Sequence, residues 1–168
     1  MNTKSDIKIA FLAVSSLGAE DNFRGAVLVT DGDTYPLEIR YSDEIKLSKL
    51  EKIAYGLKLK EGAVVSKIAK PLLSSIKASP SLVIVNDQDL LRLQKVFSNV
   101  VIGFVENRGG LSADDEGDVK VKFYENKPEY EKAFKALDIT VENINFSEPL
   151  MRVEKALEYI HAQGTKDL

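Results

Sequence analysis

The stretch from Phe23 to Tyr41, FRGAVLVTDGDTYPLEIRY, limits what this chain can fold into more than any other. GAVLVT is short, apolar and β-branched. Asp31-Gly32-Asp33 follows it, and Asp-Gly between two strand-like runs is among the strongest short-range hairpin signals. The return run, PLEIRY, alternates: Leu37, Ile39 and Tyr41 fall on one face, Glu38 and Arg40 on the other. The outgoing strand is apolar on both faces and belongs inside a sheet. The return strand is expected to turn its polar face to water or a partner.

The rest of the chain can be arranged around this hairpin. Ile7 to Ser15, IKIAFLAVS, is apolar on both faces and predicts a central strand. Joined to the hairpin by a short polar loop, it completes an antiparallel meander. Ser48 to Leu59 reads as a helix with Leu50, Ile53, Ala54 and Leu57 as its packing stripe, and Ser48 with Glu51 forms a capping-box pattern. Glu61 to Ile76 continues at helical spacing, with Pro71 expected to kink or split it. Leu82 to Val85, a helix from Asn86 or Asp87 to Phe97, and Val100 to Val105 read as a β-α-β unit with parallel strands and a right-handed crossover. Val119 to Tyr124 alternates valine and lysine like an edge strand. Pro128 to Leu137 is a helix. A last helix is capped by Ser147, carries Leu150, Val153, Leu157 and Ile160 as its core stripe, and is expected to stop at Gly164. The expected fold class is therefore α/β: a single domain over 1–168, with a mixed sheet of about six strands, an antiparallel meander first and a β-α-β unit second, covered by helices. The acidic, glycine-rich stretch 106–118 is expected to be a mobile loop.

Composition narrows the chemistry. The 168 residues include no Cys and one His, so disulfides, thiolate metal sites and multi-His metal sites are excluded or unsupported within one chain. The net charge is -3, which gives no chain-wide drive toward a phosphate backbone. The first residues place a lysine before a short apolar run, but Asp6 and Lys8 interrupt it, and a buried strand is the expected reading. No stretch has transmembrane length.

Four constellations are candidates. Asp31, Asp33 and Glu38, with Arg40, cluster at the turn and on the return strand; carboxylates of this kind hold Mg²⁺ and assist phosphate-ester chemistry. Turn chemistry also explains the two aspartates. Asn86 and Asp87, with Asp89, follow a strand end, where ligands of open α/β sheets collect. Capping also explains Asp87. Asn107, Arg108, Gly109 and Gly110 follow another strand end and offer an anion cradle. His161 lies in the last turns of the final helix, where it suits the helix dipole.

No nucleophile–base pair, cofactor fingerprint or metal spacing is present. The expectation is thus a cytoplasmic, non-catalytic binding or protein-interaction domain, with a protein partner or a homo-oligomer, no cofactor, no general nucleic-acid binding and no membrane contact. The alternatives are a metal-assisted phosphoesterase or nuclease using the clustered carboxylates, and a small-molecule sensor binding at the strand ends. Convergence of Asp31, Glu38 and Asp87 on one pocket would favour the enzyme, and their scatter would count against it.

Overall fold

The computed structural model describes residues 7–16, 22–106, 120–137 and 146–166. Seven strands form one mixed sheet: β1 (Lys8–Ser16), β2 (Asn22–Asp31), β3 (Pro36–Tyr41), β4 (Ile45–Lys46), β5 (Leu82–Val85), β6 (Val101–Val105) and β7 (Val121–Lys122). Their order is β3-β2-β1-β5-β6-β7, with β4 also paired to β2. β1, β2 and β3 are antiparallel; β1, β5 and β6 are parallel; β7 is antiparallel to β6. The meander, the parallel unit and the lysine-bearing edge strand are as the sequence predicts.

Both faces of β1 and β5 are apolar, and both are covered. On one face Ala10, Leu12, Val27, Val83 and Val85 meet a π-helix (Lys60–Ala69), α2 (Lys70–Ser75) and a 3-10 helix (Gln88–Lys95). Gly25 allows that approach, because a Cβ there would stand 2.8 Å from the Ile68 side chain. On the other face Ile9, Phe11, Leu28 and Ile84 meet α3 (Pro128–Ala136) and α4 (Ser147–Lys166), where Phe134 and Phe146 pack edge-on. Each large side chain buried here contributes roughly 1.5–3 kcal/mol.

Several local expectations are corrected. The stripe of α1 (Lys49–Tyr55) does not pack: Leu50, Ile53 and Ala54 face solvent, as does Leu57 beyond it. The stripe of β3 is reversed as well. Leu37, Ile39 and Tyr41 are exposed while Glu38 and Arg40 are half-buried. The cause is visible: α4 lies over β1 and β2, and Glu38 is drawn to the opposite face by the backbone N–H groups of Lys77 and Ala78. At Pro71 the helix changes form, with Pro71 in the first turn of the second segment. The chain winds as a π-helix up to Ala69 and as an α-helix from Lys70. The crossover after β5 is a 3-10 helix rather than an α-helix, and α4 runs through Gly164 to Lys166. The stretch expected as a mobile loop lies, apart from Glu106, outside the described residues.

Candidate active site

The sheet changes direction at β1. From β1 the chain proceeds outward through β2 and β3; from β5 it proceeds the other way through β6 and β7. The parallel neighbours β1 and β5 therefore end side by side at a topological switch point, the place where ligands of open α/β sheets collect. Asn86 fixes this junction. Its backbone N–H donates to the Leu12 carbonyl at 3.1 Å. Its side-chain Oδ1 accepts from the Val14 N–H at 3.1 Å, and its Nδ2 donates to the Val14 carbonyl at 3.2 Å. The amide thus extends the ladder by one step where the backbone of β5 has ended.

Beyond that step a cleft of about 70 Å³ opens, lined by Val14, Ser16, Phe23, Lys60, Val64 and Asp87. Asp87 caps the 3-10 helix, with Oδ1 accepting from the Asp89 N–H at 2.9 Å. Its Oδ2 pairs with Lys60 Nζ at 2.9 Å. That hydrogen bond raises the Lys60 pKa above its ordinary value. Asp89 lines a second cleft of about 310 Å³ with Glu61, Arg92, Lys122, Tyr124 and Asn126. Burial raises the Asp89 pKa, and the charges of Asp87 and Glu61 push it the same way, against Lys60 and Lys58. Glu61 itself is held low by its hydrogen bond from Lys58. The rim residues Glu125 and Asn126 both adopt positive φ, 53° in each case, a conformation that non-glycine residues enter at a cost.

The other sequence candidates lie elsewhere. Asp31 pairs with Lys8 at the start of β1, so it sits at the opposite end of that strand from Val14. Its Oδ1 accepts from the N–H groups of Asp33 and Tyr35, at 2.9 and 3.1 Å, which makes it a turn carboxylate. Glu38 accepts from Lys77 N, Ala78 N and Arg40 Nε, and these donors lower its pKa to about 2. Asp31 and Asp87 therefore do not share a pocket. Asn107, Arg108, Gly109 and Gly110 lie outside the described residues. Lys60, Glu61 and Arg92 escaped the sequence reading. Lys60 and Asp87 are 27 positions apart, and no local pattern connects them.

A divalent cation can be tested against this donor set. Among the described residues no group of three or more His, Cys, Asp or Glu side chains is placed to hold one, so an all-protein cage does not fit. Mg²⁺, however, is commonly held by one or two carboxylates together with substrate phosphates. Asp87 and Asp89 fit that mode, with the Lys60 ammonium now standing where positive charge is needed.

No family model matches the sequence, and no curated protein matches it either. Solved structures with a similar fold include endonuclease V from Bacillus subtilis, with 8% identity, a TM-score of 0.43, and coverage of 60% of this chain and 44% of that one. Ciona intestinalis endonuclease V, in complex with a DNA 24mer containing an inosine followed by a ribo-adenosine, has 16% identity, a TM-score of 0.44, and coverage of 79% and 55%. Marinitoga piezophila Argonaute, in complex with a 5′ OH guide RNA, has 16% identity, a TM-score of 0.45, and coverage of 90% and 29%. The chain spans about half the length of these proteins or less. So distant a likeness concerns the arrangement of the chain and does not carry those proteins' activities over to this one.

Two expectations are nonetheless corrected. Composition predicts a protein or homo-oligomer partner without general nucleic-acid binding, and the missing motifs predict a binding or protein-interaction domain. The similar structures are instead endonucleases and an Argonaute, two of the three seen with DNA or RNA. The physical weakness lay in the use of net charge. Residues 107–119 hold four acidic residues and one basic one, which equals the whole net charge of -3. The remainder of the chain is neutral in sum, and its carboxyl edge carries Lys58, Lys60, Arg92 and Lys122 beside Glu61, Asp87, Asp89 and Glu125, with Lys58 paired to Glu61 and Lys60 to Asp87. Local cations, not the chain-wide total, decide whether a phosphate is attracted. Among the described residues no helix is long and apolar enough to cross a membrane.

Proposed function

We propose that this domain is a metal-assisted nuclease, or a related phosphoesterase, acting at the carboxyl ends of β1 and β5. One observation carries the reading: Asp89 is a partly desolvated carboxylate held beside Asp87 at the switch point of the sheet. Clustered like charges with shifted pKa values at such a place are a mark of functional sites. Lys58, Lys60, Arg92 and Lys122 attract and orient the phosphodiester. Asp87 and Asp89 are the carboxylates that would hold a divalent cation, which would supply Lewis-acid polarisation of a phosphoryl oxygen. Lys60 moves from Asp87 to phosphate as the site fills.

The test is incubation of the protein with end-labelled single- and double-stranded DNA and RNA in Mg²⁺, Mn²⁺ or chelator. The expected result is metal-dependent cleavage that Asp87→Asn abolishes. Asn caps helices as well as Asp does, so the fold should survive the change. The absence of both cleavage and binding with all four substrates would overturn the proposal.

A further inference from the structure

α1 is an amphipathic helix turned inside out. Its polar side is fastened to the body: Glu51, which also completes a capping box with Ser48, pairs with Lys67, and the Tyr55 ring lies over Gly62, where a Cβ would stand 2.7 Å from it. Its apolar side faces outward. Leu50 is 76% exposed and Ile53 68%, and Leu57 in the following turn is 103% exposed. A helix with this stripe ordinarily packs it inward. Here the anchors on the polar side forbid the rotation that would bury it.

Cations border the stripe. Lys46 and Lys49 are exposed just before Leu50 in the chain, and Lys52, between Leu50 and Ile53, is half-buried; among the described residues none of the three has an ion-pair partner. Large apolar side chains rimmed by unneutralised lysines are the composition of helices that lie in a membrane interface. We infer that α1 and the turn after it dock on an anionic lipid surface, with Leu50, Ile53 and Leu57 entering the headgroup boundary and Lys46, Lys49 and Lys52 meeting the lipid charge. This goes beyond the proposed activity and does not depend on it.

Co-sedimentation of the whole chain with vesicles tests it. Phosphatidylcholine vesicles with about one third phosphatidylserine should bind the protein, and pure phosphatidylcholine should bind it far less. Leu50→Ser with Ile53→Ser should abolish binding; both residues are exposed, so folding is spared. Lys46→Glu, Lys49→Glu and Lys52→Glu together should weaken it by at least about a hundredfold, since each lysine near such a surface is worth roughly fivefold. Equal binding to both vesicle types, no binding to either, or unchanged binding of the serine variant overturns the inference. So does a dimer in solution that the serine variant dissolves, because the stripe then belongs to a second copy.

Discussion

The two ends of β1 carry similar residues and use them in opposite ways. At its first end, Asp31 and Asp33 at the turn and Glu38 on β3 look from the sequence like a metal site. There Asp31 and Glu38 accept hydrogen bonds from five backbone N–H donations and one guanidinium. At its last end, Asp87 and Asp89 each line a cleft; Asp87 accepts one backbone N–H and one lysine, and Asp89 is raised in pKa by burial and like charge. A carboxylate saturated by fixed backbone donors is a structural staple. One stabilised by a movable side chain, or left desolvated, can exchange its partner for a ligand. Residue type does not separate the two cases; the donors do.

The largest expected effect comes from the junction that makes the second end a site. Asn86→Ala removes both hydrogen bonds to Val14 and should cost about 1–3 kcal/mol, measured by urea denaturation. A cost within about 0.5 kcal/mol, the range of ordinary surface changes, would mean that the switch point does not depend on this amide.

Next is the staple. The Glu38 pKa is about 2 in the fold, below its ordinary 4.5. A lowered pKa gives stability that is present above the unfolded value and lost as pH falls through the folded one. Wild-type stability should therefore drop between about pH 5 and pH 2, and Glu38→Gln should flatten that part of the profile. An unchanged profile in the variant would show that the staple is not charged in the way described.

The smallest effect has the opposite sign. Asp89 binds its proton more readily folded than unfolded, so its charge opposes folding at neutral pH and the opposition fades as pH falls through the raised pKa. Asp89→Asn should leave stability at pH 7 equal or slightly higher while reducing cleavage. A clear loss of stability would move Asp89 into the class of Glu38.

Much of this frame was legible in the sequence. The hairpin, the apolar β1, the box at Ser48 and Glu51, and the parallel pair after Pro80 are local patterns that the structure repeats. What stayed hidden is what depends on distant partners. Periodicity marks Leu50, Ile53 and Leu57, or Leu37, Ile39 and Tyr41, as stripes, but the direction of a stripe is set by what lies beside it. Lys67 and the backbone at Lys77 decided those directions. Likewise the sequence places Asn86 and Asp87 at a strand end, yet only the pairing of β1 with β5 makes that end a switch point and brings Lys60 to it. Turn aspartates and site aspartates look alike until their donors are known.

The contrast between the two ends can be tested in one measurement. Mn²⁺ is paramagnetic, and titrated into isotope-labelled protein with a non-cleavable oligonucleotide it broadens the amide signals nearest to where it binds. Broadening should be strongest from Asn86 to Leu90 and absent from Asp33 to Glu38. Broadening centred on Asp33 to Tyr35, or on neither segment, would contradict it.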